Sequence, residues 1–270
     1  MSKVVLVTGA SSGMGKTTAE LLLKKGYVVY GAARRVEKMY DLKKAGAKIL
    51  QMDVTKEQSM VLGIEKIIKN EGHIDVLLNN AGFGLYGAIE DVTMEGARYQ
   101  MEVNVFGLMR LIQLVLPYMR KRQNGTIVNI SSIGGKIANP IGGWYHASKF
   151  ALEALSDSLR MEVKQFGINV IVIEPGGVKS EWSEIAMENA HKISANGVYG
   201  KMIQKMIEAG KKFKDKNAEP EIIANLINKA ITSKKPKTRY SGGFMAKPLL
   251  FLRKVLSDIQ MDKMILGQFK

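Results

Sequence analysis

The stretch VVLVTGASSGMGK, residues 4–16, joins an apolar run to a glycine-rich turn near the start of the chain. Residues 4–7 are Val or Leu and predict a buried strand, and residues 13–25 have the periodicity of a helix. Glycines in the turn between them allow a tight bend and let a phosphate approach the positive N-terminus of the helix. The stretch therefore predicts a strand–turn–helix unit that holds a pyrophosphate. The residues assigned to it are Gly9, Ser11, Ser12, Gly13, Met14 and Gly15.

The same alternation of short apolar runs and longer helical segments continues along most of the chain. The predicted strands are residues 4–7, 28–31, 48–52, 76–79, 126–130, 169–173 and 238–240. The predicted helices are residues 13–25, 35–45, 56–70, 96–122 and 144–165, with a further one near Pro220. Strands and helices in this order predict an α/β fold, a Rossmann-like doubly wound parallel sheet of about seven strands, with helices on both faces.

The pattern changes after residue 173. Residues 180–216 are rich in Lys and Met and have weak periodicity, which predicts a lid over a substrate site. Trp182 and residues 187–206 would line an apolar pocket or pack as ordinary core, and the sequence leaves both open. We expect one domain over residues 1–243 and a basic, apolar C-terminal extension over residues 244–270.

Composition excludes several classes of chemistry. The chain of 270 residues has no Cys, so disulfides and thiolate metal sites are excluded, and its three His residues have no metal-ligand spacing. We expect no metal. The N-terminus offers no signal peptide, and no stretch reaches the roughly 18 apolar residues that span a bilayer. These features predict a cytoplasmic protein that does not cross a membrane.

Positive charge is concentrated near the C-terminus. The formal net charge is +15, and residues 201–270 hold 16 Lys and Arg against 6 Asp and Glu. Residues 244–256, FMAKPLLFLRKVL, mix apolar and basic residues, so the tail would lie in a membrane interface or dock on its own domain or a partner subunit. We favour docking. Nucleic-acid binding is not expected, because the tail lacks an interleaved aromatic platform.

A phosphate loop of nucleotide hydrolases is a rival interpretation of the first turn. Residues 10–17, ASSGMGKT, approximate G-x-x-x-x-G-K-[ST] with Ala in the first position. Lys16 would then bind phosphates, Thr17 would bind magnesium, and Glu174 would be the nearest acid after a strand. This interpretation leaves a second cluster of reactive residues, described below, without a role.

The end of the second predicted strand suggests which dinucleotide binds. Folds that prefer the unphosphorylated cofactor place an acid here, where Ala33 stands. Arg34 instead offers a planar fork that suits a 2′-phosphate, with Arg35 as a second cation, and this predicts NADP(H). Two solvated arginines are the alternative. After the third strand, Asp53 and Val54 would contact an adenine, or Asp53 would simply cap the next helix.

Tyr145 and Lys149 stand four residues apart, so on a helix they share a face. A nearby ammonium favours the phenolate, which predicts a proton donor and acceptor usable near neutral pH. The alternative is a solvated Lys beside a half-buried Tyr. Ser132 lies thirteen residues upstream at the end of an apolar run. Residues adjacent on a helix point about 100° apart, so His146 is expected to face elsewhere and is assigned no chemistry.

Together these motifs resemble the short-chain dehydrogenase/reductase family over residues 3–240. The residues that carry the resemblance are Thr8-Gly9-x-x-x-Gly13-x-Gly15, Asn79-Asn80-Ala81-Gly82, Asn104, Ser132, Tyr145-x-x-x-Lys149 and Pro175-Gly176-Gly177-Val178. Residues 144–162 are most similar to the hydroxysteroid and retinol dehydrogenase-like members.

The resemblance implies a role for each matching residue. Tyr145 would exchange a proton with the substrate oxygen, Ser132 would orient that oxygen, and Ser131 is the weaker candidate. Lys149 would lower the tyrosine pKa and bind the nicotinamide ribose, and Asn104 would hold a water in a distorted helix. The remaining cofactor contacts, at the adenosine ribose and then at the nicotinamide, are Asn80, Ala81, Gly82, Pro175, Gly176 and Val178.

The implied activity is that of an NADP(H)-dependent alcohol dehydrogenase or carbonyl reductase. Its substrate would be a lipophilic small molecule such as a steroid, a retinoid or a long-chain keto compound. The alternative is a fold relative that binds NADPH as a sensor or scaffold without turnover. The resemblance also implies a homodimer or homotetramer that associates through the helices near residues 96–122 and 144–165.

Overall fold

A computed structural model describes residues 2–267 as a seven-stranded sheet with helices on both faces. Its spatial order is β3-β2-β1-β4-β5-β6-β7, and every neighbouring pair is parallel. The strands are β1 (Val4–Thr8), β2 (Val28–Ala33), β3 (Lys48–Gln51), β4 (Val76–Asn79), β5 (Gly125–Ile130), β6 (Ile168–Pro175) and β7 (Arg239–Gly242). The predicted fold class and all seven predicted strands are confirmed.

The strands read as continuous apolar runs because both faces of the sheet are covered. The helices are α1 (Gly13–Lys24), α2 (Tyr40–Lys44), α3 (Glu57–Glu71), α4 (Met94–Met101), α5 (Gly107–Lys121), α6 (Gly143–Val163), α7 (Glu181–Ser194), α8 (Gly200–Phe213), α9 (Pro220–Thr232), α10 (Ala246–Val255) and α11 (Asp258–Gly267). On one face Leu22 of α1 and Ile227 of α9 are buried against Val5 and Val7. On the other, Ile64 and Leu111 pack with Leu6 and Leu77. Alternate residues of β1 therefore enter opposite cores.

Two predicted helices differ from what the structure shows. Residues 96–122 were expected to form one helix, but α4 and α5 are joined by a π-helical turn over Glu102–Phe106. The helix also begins earlier, at Met94, because Thr93 Oγ1 caps it by accepting from Gly96 N at 3.1 Å. Residues 35–45 divide into a 3₁₀ turn, Val36–Met39, and the short α2.

The lid and tail segments are helical. Residues 180–216, whose periodicity is weak, form α7 and α8, and the tail forms α10 and α11. Pro220 opens α9 in the first turn, as expected. Within residues 2–267, no helix is both long and apolar enough to cross a bilayer.

The strand order fixes where a ligand can bind. The chain moves outward from β1 to β3, then returns to place β4 on the other side of β1. Loops that leave β1 and β4 therefore separate in opposite directions, and a crevice opens at their carboxyl ends. The predicted site residues lie on the loops around this crevice.

Candidate active site

A cleft of about 740 Å³ lies at the carboxyl ends of the central strands. The predicted site residues that line it are Gly9, Ser11, Ser12, Gly13, Met14, Arg34, Arg35, Asp53, Val54, Asn80, Ala81, Gly82, Ser132, Tyr145, Lys149, Pro175, Gly176 and Val178. Gly15 and Asn104 lie behind this lining and are buried. Residues far apart in sequence are thus brought to one site.

The glycine loop is packed too closely to admit a side chain at Gly15. A Cβ at Gly15 would lie 2.3 Å from Asn80 Nδ2 and 2.5 Å from Gly9 O. Gly9 itself has φ of 66°, which favours glycine. Asn80 Nδ2 donates to Thr8 O at 3.0 Å, so Asn80 fixes the loop. Ser12, the N-cap of α1, makes no side-chain cap bond, and the first backbone amides of the helix can bind a pyrophosphate.

Arg34 lies at the end of β2 and lines the cleft. Its Nη1 donates to Tyr99 Oη at 3.0 Å, and within residues 2–267 it makes no ion pair. Arg35 lies 4.0 Å from Glu181 Oε2, so its charge is partly engaged by the lid. Arg34 is therefore the freer of the two cations to bind an anion in the cleft.

Asp53 does not cap the next helix. That helix, α3, has Lys56 as its N-cap, and Asp53 Oδ1 instead accepts from Thr55 N at 2.9 Å and from Thr55 Oγ1 at 2.8 Å. The carboxylate closes a local turn at the rim of the cleft. The capping alternative is wrong because two further residues separate Asp53 from the N-cap.

The phosphate-loop interpretation is also wrong. Lys16 Nζ forms an ion pair with Asp41, so the lysine is held on α2 rather than over the loop. Glu174, its proposed acidic partner, lies 3.6 Å from Arg239 Nε. The two residues that the motif requires are each committed to another partner.

Tyr145 and Ser132 meet at the floor of the cleft. Tyr145 lies in the first turn of α6, and Ser132 precedes the 3₁₀ turn Ile133–Gly135, where its Oγ accepts from Gly134 N at 3.0 Å. Trp182 of α7 covers the phenol, with ring centroids 4.9 Å apart, and Tyr86 packs on it at 5.7 Å. This aromatic cover leaves the Tyr145 side chain buried, whereas Ser132 is half-buried.

Burial decides the protonation of Tyr145. It raises the pKa of the phenol to about 12, although the adjacent Ser132 hydroxyl favours the phenolate. Lys149 does not lower this pKa as expected, since the shift comes from burial and the Ser132 hydroxyl and the lysine Nζ lies 5.9 Å from the ring centroid. Tyr145 is thus a neutral phenol, and a proton donor, across the neutral range.

Lys149 is buried beneath the cleft. Its Nζ donates to Ile130 O at 2.9 Å, and burial lowers its pKa to about 8, an effect that the charge of Glu153 partly offsets. Glu153 lies one helical turn further along α6 and binds Arg239 of β7 through its Oε2, 2.9 Å from Nη2. This ion pair joins residues 86 positions apart, so no local spacing in the sequence predicts it.

Asn104 lies in the π-helical turn, so the distortion expected around it is present. Its Nδ2 donates to Phe83 O at 2.9 Å and to Ser148 Oγ at 3.0 Å, and its Oδ1 accepts from Phe83 N at 3.1 Å. A Cβ at Gly82 would lie 3.2 Å from that Oδ1 and 3.7 Å from Lys149 Nζ. Asn104 therefore joins the loop after β4 to α6, next to the lysine.

His146 faces the cleft, contrary to expectation. Its ring centroid lies 5.6 Å from that of Tyr145, and its Nδ1 lies 2.9 Å from Gly134 O. Its Nε2 contacts both the backbone nitrogen, at 3.2 Å, and the side-chain Oδ1 of Asn139. Burial lowers the pKa of the imidazole, so it stays neutral. His146 ties the turn after Ser132 to α6, a long-range role that helical spacing does not reveal.

The segment after β6 forms the opposite wall. Gly177 N donates to Phe244 O at 2.9 Å, and Lys179 N donates to Ala218 O at 2.9 Å. A Cβ at Gly176 would lie 2.3 Å from Phe244 O, so the segment must approach the tail closely. Val178 is held between these fixed positions and lines the cleft. Trp182 lines it too. Met187, Met202 and Met206 do not line the cleft and instead pack in the apolar cluster that joins α7 and α8 to Tyr86 and Tyr145.

Replacing Lys149 with Met is expected to stabilise the protein. The lysine has a pKa of 10.5 when unfolded and about 8 when folded, a difference that costs the native state about 3 kcal/mol at pH 7. Met keeps the length of the side chain and removes this penalty, while the bond to Ile130 O is lost. We expect urea unfolding at pH 7 to give a free energy of unfolding about 1–3 kcal/mol higher in Lys149→Met.

The difference in free energy of unfolding between Lys149→Met and wild type should depend on pH. Between about pH 8 and pH 10.5 the unfolded state binds more protons at Lys149 than the folded state does, so this group makes wild-type stability rise with pH. The advantage of Lys149→Met should be constant below about pH 8 and smaller at about pH 9.5. Exposed Lys66→Met serves as the control. A Lys149→Met protein less stable than wild type at pH 7 would contradict the assignment.

Comparison with known proteins agrees with this geometry. A family model for short chain dehydrogenases matches residues 3–191. A 3-ketodihydrosphingosine reductase of Bacteroides thetaiotaomicron is 37% identical over 248 residues, which cover 92% of this chain and 90% of that protein. A short-chain dehydrogenase from Streptomyces avermitilis superposes with a TM-score of 0.80 at 32% identity, over 97% of this chain and 95% of that one. A serine dehydrogenase complexed with NADP+ superposes with a TM-score of 0.78 at 26% identity, over 89% of this chain and 94% of that one. The chain belongs to the short-chain dehydrogenase/reductase family of oxidoreductases.

Proposed function

We propose that the protein is an NADP(H)-dependent carbonyl reductase and alcohol dehydrogenase that acts on a lipophilic ketone or alcohol. The observation that carries this proposal is the cleft floor, where the neutral phenol of Tyr145 and the hydroxyl of Ser132 lie under an aromatic cover. Two hydroxyl donors beside an apolar space suit the oxygen of an otherwise apolar substrate. The glycine loop and Arg34 support a phosphorylated dinucleotide at the other end of the cleft.

The residues fit a nicotinamide dinucleotide along the cleft. The uncapped start of α1 suits its pyrophosphate, Arg34 its 2′-phosphate, and Lys149 the hydroxyls of its nicotinamide ribose. Asn80 and Ala81 would lie along the adenosine half, and Val178 against the nicotinamide. When bound, this group supplies or accepts a hydride.

The protein's own part in carbonyl reduction is to handle the proton and the developing charge. Tyr145 donates its hydroxyl proton to the substrate oxygen, and Ser132 donates a hydrogen bond to the same oxygen. The phenolate that remains is stabilised by the nearby ammonium of Lys149. In alcohol oxidation the same groups act in reverse. Trp182 and Tyr86 keep water from the reacting atoms.

The apolar walls support a long substrate. Ile185 of the lid and Leu249 and Ile265 of the tail line the cleft together with Trp182. The reductase from Bacteroides thetaiotaomicron is named for a long-chain keto compound, so long-chain 3-keto compounds come first in our choice of substrates, followed by steroid and retinoid carbonyls.

Turnover of a carbonyl panel tests the proposal. We expect NADPH oxidation to depend on a lipophilic ketone such as 3-ketodihydrosphingosine and to be faster than with a short ketone of the same headgroup. Binding of NADPH without oxidation in the presence of any carbonyl, or of NADP+ without reduction by any alcohol, would favour the sensor or scaffold alternative instead.

A further inference from the structure

Helix α10 is apolar on both of its sides. Its inner side carries Ala246, which is fully buried, and Leu249, which lines the cleft. All of its exposed residues share one outer sector of about 120°, given 100° per residue. They are Lys247, Pro248, Phe251, Lys254 and Val255. A surface helix of a globular protein usually has a polar outer side, so the apolar residues here indicate an apolar environment.

Helix α11 has the same two-sided character. Ile265 lines the cleft and Met261 is buried, while Ile259 and Leu266 are exposed. Among the apolar side chains of α10 and α11, Ile259 and Phe251 are the most exposed, at 68% and 63%. We call a set of exposed residues on these two helices the tail face. It consists of the apolar residues Phe251, Val255, Ile259 and Leu266 and the lysines Lys247, Lys254 and Lys263.

The tail face adjoins the active site. α10 packs against β7 and against the turn Ile133–Gly135, which directly follows Ser132. Leu249 and Ile265 reach into the cleft, and Ile185 of the lid lines the cleft while remaining exposed. The same two helices thus border the cleft on one side and solvent on the other, which gives an apolar substrate a short route inward.

The charges on the tail face favour an anionic lipid surface over a second copy of the chain as its partner. Lys247, Lys254 and Lys263 make no ion pair within residues 2–267. α10 contains no acidic residue, whereas α11 carries Asp258 and the exposed Asp262, so the excess of positive charge lies on α10. Arg253 is paired with Asp258 at 2.9 Å. Two copies of the chain apposed through this face would bring like charges together, whereas anionic lipid headgroups would complement them.

We propose that α10 and α11 dock on an anionic lipid surface and that the lipophilic substrate enters the cleft from that surface. Docking of this kind buries apolar side chains at the level of the headgroups while lysines contact anionic lipids. The entry route rests on the proposed function, because it requires a lipophilic substrate. The docking itself does not.

Vesicle co-sedimentation tests the docking. We expect the full chain to sediment with vesicles of phosphatidylcholine and phosphatidylglycerol, and less with phosphatidylcholine alone. The variant Phe251→Glu/Ile259→Glu should bind the mixed vesicles at least about tenfold more weakly, since two exposed apolar anchors become charged. Leu62→Glu on α3, at 55% exposure, is the matched control and should bind as wild type does.

A second variant examines the electrostatic part. Lys247→Gln/Lys254→Gln should lose the preference for anionic vesicles, and added salt should reduce wild-type binding in the same way. Wild type that fails to sediment with mixed vesicles, or a double glutamate variant that sediments as wild type does, would overturn the proposal. An oligomer that only the double glutamate variant dissociates would show that a second copy occupies the face.

Activity assays separate this proposal from the proposed function. The double glutamate variant should reduce a short water-soluble ketone at the wild-type rate and a vesicle-borne long-chain ketone at least about tenfold more slowly. Equal rates on the vesicle-borne ketone would refute the entry route. If no form of the protein reduces any ketone, the proposed function fails, and the sedimentation result still decides the docking.

Discussion

Tyr145→Phe is expected to lower kcat for ketone reduction about 10³-fold, because general acid catalysis by a placed side chain contributes about 10²- to 10⁴-fold. Phe retains the ring that packs against Trp182 and Tyr86 and removes only the hydroxyl. Folding and the shape of the cleft should therefore be preserved, and the Kd for NADPH should change by less than about threefold.

The measurement is single-turnover reduction with saturating NADPH, beside a direct titration of the cofactor. Tyr118→Phe on α5 removes a phenol away from the cleft lining and should retain wild-type kcat. Ser132→Ala should lose about 10²- to 10³-fold, since one hydrogen-bond donor to the substrate oxygen is removed. A Tyr145→Phe protein with kcat within tenfold of wild type would show that the proton comes from another group.

The pKa values make the pH profile of reduction a further readout of this assignment. Burial holds the pKa of Tyr145 at about 12, so deprotonation of the donor does not limit the reaction in the neutral range. Lys149, with a pKa lowered to about 8, loses its charge first as pH rises. We therefore expect the rate of reduction to fall above about pH 8 as Lys149 deprotonates, and not to follow deprotonation of the phenol.

Local patterns predicted the sheet and the glycine loop because each depends on neighbouring residues. A Val-rich run followed by glycines can form a strand and a turn wherever the remainder of the chain lies. The π-helical turn around Asn104 was different: its distortion was expected only from the family resemblance, because an i→i+5 turn leaves no compositional mark. The lid role of residues 180–216 stays a prediction, and the weak periodicity of the segment did not predict its two helices.

The sequence did not predict contacts and pKa shifts that depend on residues far apart in the chain. The pairing of Glu153 with Arg239 joins α6 to the last strand, 86 residues later. The contact between His146 and Gly134 O depends on how the loop between them folds back. The pKa of Tyr145 was expected to fall because of Lys149, yet burial by Trp182 and Tyr86, from two other segments, dominates. Burial is a property of the whole fold, so helical spacing alone gave the wrong direction.

Arg34→Asp is expected to reverse the preference between the two dinucleotides. A hydrogen bond between charged groups contributes about 1.5–3 kcal/mol, so removing the guanidinium should weaken NADPH binding about 10- to 150-fold, and the new carboxylate would also repel the 2′-phosphate. The same carboxylate can accept hydrogen bonds from the two ribose hydroxyls of NADH, which should bind more tightly than before. Fluorescence titration of both cofactors to wild type and variant measures the change.

Two basic residues near Arg34 provide variants with which Arg34→Asp can be compared. Lys38 lies 3.7 Å from Glu181 Oε1 and outside the cleft lining, so Lys38→Ala should leave both affinities within about twofold. Arg35→Ala should weaken NADPH binding less than Arg34→Asp does, because the charge of Arg35 is partly engaged by Glu181. Tyr99→Phe would release Arg34 without removing its charge, and its smaller effect on NADPH would measure how much orientation adds to charge. Wild-type protein that binds NADH as tightly as NADPH would refute the role of Arg34 in binding a 2′-phosphate.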